Sequence, residues 1–238
     1  MRYIGFNYSG PAANYTLGDE NTIILSAFDA GTAEPKIYEI DLPGTNGKLD
    51  LSTALTDGSI MYNNRIVTIT FTVLSSANGR TDVLTGINTI KNLLHGQKIY
   101  FSNSGETKFF HGRASVSVSE DHYIYAIVVV TVDCDPYIIA QSDRGDTHSP
   151  VSPSTTYNFS ETNHGNAPTV MYLDIPEGVT VTVTKIIQLG TFGYTDYTTR
   201  SYGTGVWKLT DTPFYPGNLR VYFKASGTFT HYLRERDL

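Results

Sequence analysis

Arg65-Ile66-Val67-Thr68-Ile69-Thr70-Phe71-Thr72-Val73-Leu74 places Val67, Ile69, Phe71 and Val73 on one side and Thr68, Thr70 and Thr72 on the other. Period two in β-branched residues predicts a half-buried strand. The turn signal Asn78-Gly79 comes next, with Thr81-Asp82 as candidate helix N-caps. Val83, Ile87, Ile90 and Leu94 follow at helical spacing, and His95-Gly96 stands where a C-terminal cap belongs. Residues 98–101 and 108–118 then flank Ser102-Asn103-Ser104-Gly105 and read as a hairpin. Residues 123–132 are the most apolar run and predict a central strand covered on both faces. The unit closes on Val132-Asp133-Cys134-Asp135-Pro136-Tyr137. Strand, one helix, hairpin, strand: this is the core of a first domain.

Working upstream, residues 2–8 alternate as a first strand and Ile23-Ile24-Leu25 supplies another. Ile37-Tyr38-Glu39-Ile40 leads into the back-to-back turn signals Pro43-Gly44 and Asn46-Gly47, then the apolar beat of Leu49 and Leu51. Residues 52–58 are ambiguous between loop and a turn of helix. Downstream, residues 141–154 are charged, small and Pro-punctuated, which predicts an exposed linker and a domain boundary. Arg144-Gly145-Asp146 in that stretch spells an integrin-recognition tripeptide and, in a turn-prone linker, reads as chance. Beyond it, short strand-like runs at 170–175, 179–189, 206–209, 219–223 and 228–233 predict a small all-β sandwich. The expected domains are therefore 1–140, a linker at 141–154, and 155–238.

Seventeen Tyr, abundant Thr and Val, and one helical pattern in 238 residues point to a mostly β protein. The single cysteine excludes an internal disulfide and a cysteine-based zinc site, and Cys134 reads as a small buried side chain. No apolar run has the length of a signal peptide or a membrane span, so synthesis and assembly are expected in a cytoplasm without membrane insertion. Net charge is −5 over residues 1–140 and −1 over 141–238, with no basic stripe, which argues against specific nucleic-acid binding.

The search for chemistry finds no catalytic, cofactor or metal residues to assign. His95, His111, His122, His148, His164 and His231 form no His-x-x-x-His or His-Glu-x-x-His pair, and neither a Gly-x-Ser-x-Gly elbow nor a phosphate loop is present. Asp133 and Asp135, two apart, share a strand face and are weighed as a cation pair, against the commoner reading of surface or capping carboxylates. Glu161, Asp174, Glu177, Asp196 and Asp211 contain candidates for a glycosidase pair whose separation a sequence does not give. Trp207 and the tyrosines from Tyr194 to Tyr202 are weighed as a sugar-stacking surface, against the favoured reading of Trp207 as core filling.

Several stretches together resemble the distal tail protein of long-tailed, siphovirus-type phages, chiefly those of Gram-positive hosts. They are Leu42-Pro43-Gly44-Thr45-Asn46-Gly47-Lys48-Leu49-Asp50-Leu51-Ser52-Thr53-Ala54-Leu55, Tyr62-Asn63-Asn64-Arg65 running into Ile69-Thr70-Phe71, Leu93-Leu94-His95-Gly96, and His111-Gly112-Arg113-Ala114. Val132-Asp133-Cys134-Asp135-Pro136-Tyr137, Pro216-Gly217-Asn218-Leu219 and Tyr232-Leu233-Arg234-Glu235-Arg236-Asp237-Leu238 continue it. Family members often carry Trp where Asp237 stands. The resemblance implies an N-terminal β-sandwich with one α-helix and a β-hairpin that assembles as a hexameric ring, and a C-terminal galectin-like β-sandwich. The ring would sit at the distal end of the tail tube, join it to the tail-tip (tail-associated) hub protein, and let DNA through its lumen. The second domain would dock receptor-binding or other baseplate proteins, and no enzyme activity or cofactor is implied.

Six copies of a first domain at −5 carry −30 around such a conduit, a charge that repels passing phosphates if it faces inward and merely solubilises the ring if it faces out. A ring needs a heterologous interface, and unpaired edges of the 97–118 hairpin are the expected partners for a neighbour's sheet. The galectin-like label does not bring sugar binding, because His164, Asn166, Trp207 and Glu177 do not follow the galectin pattern and no Asn-Pro-Arg occurs. Two other readings stand beside the ring. One is a glycan-binding host-recognition module on the tail tip; the other is a tail enzyme acting on host wall material.

Overall fold

The computed structural model describes residues 3–18, 22–44, 46–52, 60–142, 144–150, 152–189, 199–209 and 214–238. The chain forms two compact units, Met1–Ile138 and Ile139–Leu238.

The first unit contains β1 (Ile4–Asn7), β2 (Tyr15–Leu17), β3 (Ile23–Asp29), β4 (Glu39–Asp41), β5 (Lys48–Asp50), β6 (Arg65–Leu74), α1 (Arg80–Leu94), β7 (Lys98–Asn103), β8 (Lys108–Asp121) and β9 (Tyr125–Cys134). Its main sheet runs β2-β1-β7-β8-β9-β6-β3, antiparallel at each pairing of neighbours. The alternation in β6 is realised as read, with Val67, Ile69, Phe71 and Val73 fully buried. Against them α1 lays Val83, Gly86, Ile87, Ile90 and Leu94, and a side chain at Gly86 would start 2.4 Å from Val73. His95 is the C-cap, its N–H bonded to the Lys91 carbonyl, and Gly96 follows at φ 76°.

Three expectations need correction in this unit. The helix starts earlier than Thr81-Asp82, behind Gly79 at φ 58°, and no side chain caps it. Asp82, in the first turn, instead reaches back and accepts the backbone N–H groups of Ser76, Ala77 and Asn78 at 2.9–3.0 Å. Those bonds, led by the backbone ones, hold its carboxyl far below the ordinary range. Next, β9 is central, between β8 and β6, yet its burial alternates: Ala126, Val128, Val130, Val132 and Cys134 are buried and the residues between them are not. Only one face of the sheet is packed into the core, so the apolar outer face stays half covered. Finally, the 97–118 hairpin has no free edge, because β7 pairs β1 and β8 pairs β9. The expected turn of helix at 52–58 falls on residues of which only Ser52 is described.

β10 (Ile138–Ala140) runs across the unit boundary, and Ala140 N–H donates to the Glu235 carbonyl. The second unit then holds β11 (Arg144–His148), β12 (Tyr157–Asn163), β13 (Met171–Ile175), β14 (Val181–Leu189), β15 (Arg200–Tyr202), β16 (Gly205–Lys208), β17 (Gly217–Ala225), β18 (Phe229–Leu233) and β19 (Arg236–Asp237). Two four-stranded sheets, β11-β18-β13-β16 and β12-β17-β14-β15, supply one core that includes Leu173, Ile175, Val181, Val183, Val221, Phe223 and Phe229. The fold is mostly β, with β-sandwich architecture, as expected.

The predicted linker is partly strand. Residues 144–148 pair with β18 from Arg144↔Leu233 to His148↔Phe229, so Arg144-Gly145-Asp146 is extended ladder and not a presented turn. Gly145 fits there because any side chain would meet the His231 carbonyl at 2.0 Å.

Candidate assembly surface

The motif residues of the first unit converge at one end of its sheet. Arg65 opens β6 and is 4% exposed; its Nε and Nη2 both donate to the Pro136 carbonyl, at 3.0 and 2.7 Å. Burial draws its pKa down while the nearby Cys134 thiol opposes that, and the same burial pushes Cys134 up to about 12, an unreactive thiol. Asn64 Nδ2 donates to Asp133 Oδ1 at 2.9 Å. Asp135 instead pairs with His111, Oδ2 to Nδ1 at 2.6 Å, and the imidazole stacks on Tyr100. The two aspartates therefore serve different partners. They follow the commoner reading weighed for them, carboxylates that tie up strand ends, and β9 ends at Cys134, between the two.

Around the corner, Val116 N–H donates to His95 Nδ1, which fixes the tautomer, and Arg113 donates to the Gly96 carbonyl. Between them lies an open groove of about 350 Å³ lined by His95, Gly96, Arg113, Ala114, Ser115, Thr131 and Asp133. Its polar groups are largely spent on internal bonds. They fix strand ends and offer no nucleophile–base pair. Among the described residues no three His, Cys, Asp or Glu side chains are grouped to hold a metal.

The other notable surface is a ribbon. Pro35 bridges Tyr62, Lys36 N–H donates to the Met61 carbonyl at 2.7 Å, and Leu51 N–H donates to that of Tyr38 at 2.8 Å. β4 and β5 extend it from Glu39↔Asp50 to Asp41↔Lys48. It carries Ile37 and Tyr38, 67% and 61% exposed, with Leu42, Leu49, Ile60 and Met61 exposed as well. A two-stranded ribbon without a core of its own is marginal in water, and clustered exposed apolar side chains mark a contact surface. The turn signals at 43–47 made the hairpin readable; its lack of cover was not.

In the second unit, three residues far apart in sequence come together. His148 Nε2 lies 2.7 Å from His231 Nδ1, and His231 Nε2 lies 2.9 Å from Glu161 Oε2. The chain crosses from β11 through β18 to β12 inside the sandwich. Phe159 stacks on both imidazoles, with Phe223 and Phe229 against His148. Arg144 covers the carboxylate from outside, 3.6 Å from Glu161 Oε1. A signal was available: Phe229-x-His231-x-Leu233 and Phe159-x-Glu161-x-Asn163 each put the polar residue on the inward-facing set.

The remaining candidates scatter. Asp174 is exposed on the outer face of β13 while Glu161 is buried, so these two do not share a cleft; Glu177 sits in an exposed turn. Asp196 and Asp211 lie outside the described residues, as do Tyr194 and Tyr197. Trp207 is 42% exposed and not core: it lies on the edge strand β16, beside Tyr202, with Nε1 donating to the Gly203 carbonyl. Among the described residues β16 pairs with β13 alone.

No protein-family model matches the sequence, and no curated protein does. Among solved structures the chain is similar to the Dit protein (gp 19.1) of phage SPP1, described as a paradigm of the hub adsorption apparatus in phages infecting Gram-positive hosts. Identity is 14%, the alignment covers 100% of both chains, and the TM-score is 0.66. The chain also aligns with a component of the phage P2 baseplate in its Ca-activated conformation, at 6% identity over 99% of this chain and 98% of that one, TM-score 0.49. The SPP1 likeness establishes a shared fold running through both units.

Proposed function

We propose that this chain is a structural component of a phage tail tip. Six copies close a ring at the distal end of the tail tube, tie it to the tail-tip hub protein, and leave a lumen for DNA. The second unit serves as an outward platform for receptor-binding or other baseplate proteins, and the role needs no cofactor and no catalysis. The observation that carries the reading is the end-to-end likeness of fold to a protein described as a hub of the adsorption apparatus. The ribbon, described over residues 35–44, 46–51 and 60–62, supports it, because that surface calls for cover, and in a heterologous ring the cover is the next subunit. It takes the place of the 97–118 hairpin, whose edges are already paired.

Light scattering across a concentration range tests both parts. The expected mass is six times the 26.2 kDa chain. Tyr38→Glu and Leu49→Glu together are expected to reduce it to one chain while circular dichroism is unchanged. Hexamers that survive both substitutions would exclude the ribbon as the joint. A monomer at every concentration, with tail tube protein added, would remove the ring.

The glycan-binding alternative draws on one observation, the exposed Trp207–Tyr202 pair on the second unit. A glycan-array signal that Trp207→Ala abolishes would favour it over a purely structural platform.

A further inference from the structure

We propose that the His148–His231–Glu161 chain is a proton-operated latch that holds β11 in the second unit and releases it in acid. Three features define it. β11 is an edge strand whose only ladder partner among the described residues is β18. Its inward side chain, His148, ends in a ring nitrogen 2.7 Å from His231 Nδ1. His231 is fully buried and leans on Glu161, itself 4% exposed.

The hydrogen-bond arithmetic is restrictive. With Glu161 ionised, His231 donates from Nε2, so its Nδ1 accepts and His148 must donate from Nε2. A first proton is tolerated: it binds His148 Nδ1, the Nε2 proton passes to His231, and the imidazolium that results sits against the Glu161 carboxylate. A second proton is not. It places N–H groups on both facing nitrogens across 2.7 Å, and the contact between the strands has to open.

The surroundings give little help to a second positive charge. Glu161 faces the pair from β12, Arg144 and Asp146 from β11, and Glu235 lies beyond β18 against Arg144. β17 and β18 contribute Phe223 and Phe229, and β12 adds Phe159. Burial, the largest influence, lowers both histidines from their ordinary value, and for His148 the charge of His231 lowers it further. A histidine depressed in the folded state stabilises it fully above its unfolded value, about 6.5. That contribution is lost as pH falls through the lowered values, so the latch is closed at neutral pH and opens in acid. Opening frees residues 144–148, about 17 Å of extended chain downstream of β10, which keeps its bond from Ala140 N–H to the Glu235 carbonyl. It also bares the edge of β18 for strand addition by a partner.

Hydrogen exchange on the full chain tests this, with protection factors corrected for intrinsic rate at about pH 7.5 and about pH 4.5, either side of the histidine range. Amides of 144–148 are expected to lose at least about tenfold protection in acid relative to those of Met171–Ile175 on the same sheet, an opening shift of about 1.4 kcal/mol. His148→Gln is expected to keep the strand in place at both values, because the amide flips between donating to and accepting from His231 without titrating. An unchanged ratio in the wild-type chain would overturn the proposal, and so would a His148→Gln chain that loses protection as the wild type does. The readout lies within one unit and stands whether or not the ring reading holds.

Discussion

Each unit contains a histidine–carboxylate contact of nearly the same length: His111–Asp135 at 2.6 Å in the first, His231–Glu161 at 2.9 Å in the second. The Asp135 side chain is 52% exposed, whereas that of Glu161 is 3% exposed and His231 is fully enclosed. Distance therefore says little about what either contact contributes. The surface pair trades water for a partner at small net gain, while the interior pair, once split, leaves a desolvated group with nothing to bind. The first unit surrounds an apolar core with polar fastenings at its rim; the second places a polar chain inside. Their responses to substitution and to pH should differ accordingly.

The sharpest test of that difference is Glu161→Ala, which strips His231 Nε2 of its acceptor and Arg144 of a partner. Losing the ionised acceptor of a buried N–H, with that donor left unsatisfied, costs about 3 kcal/mol. Trp207, the single tryptophan, lies in the second unit, so urea unfolding followed by its fluorescence reads that unit. A cost below about 1 kcal/mol would mean that the interior pair behaves like the surface one and that burial does not separate them.

Acid comes next in size. His148 and His231 are both depressed, so the folded second unit binds fewer protons than its unfolded chain just below the ordinary histidine value. Stability rises with pH through that window, by up to about 1.4 kcal/mol per unit for each proton difference, and levels off above about 6.5. The urea midpoint by Trp207 fluorescence should fall as pH drops below that value. A midpoint flat from about pH 7 to about pH 5 would place the histidines outside the stability balance.

Arg65→Met probes the rim of the first unit. It removes two bonds to the Pro136 carbonyl and the guanidinium over the Phe110 ring, and leaves an apolar stem in their place. Leaving that carbonyl unsatisfied costs about 1–3 kcal/mol, so the expected loss is smaller than for Glu161→Ala. Far-UV circular dichroism during urea unfolding measures it, and a loss as large as the interior one would erase the distinction between rim and core.

What was legible beforehand follows the same division. β6, α1, the β7–β8 hairpin and β9 carry their reading locally: period two in Val67 to Val73, helical spacing in Val83 to Leu94, turn residues at Asn103 to Gly105. β11 carries none. Arg144-Gly145-Asp146-Thr147-His148 lacks apolar alternation and becomes strand only because β18, more than eighty residues later, offers a ladder. The His148–His231 contact spans 83 residues and is a product of tertiary placement, whereas Asp82 clamps the loop before its helix through local bonds that an N-cap pattern does not suggest. Trp207 misleads for a related reason. Its size suggests core, but its strand lies at a sheet edge, and edges are set by topology.

His111→Ala should have the smallest effect. The imidazole gives up its contact with Asp135 and its stack on Tyr100, but Asp135 faces solvent and water replaces the lost donor. The Asp135 N–H keeps its bond to the residue 111 carbonyl, because that bond belongs to the backbone. A change of about 0–1 kcal/mol by urea unfolding is expected. Were it to reach the cost of Glu161→Ala, the strand end at residues 133–137 would depend on this side chain, and exposure would be a poor guide to the weight of a histidine–carboxylate pair.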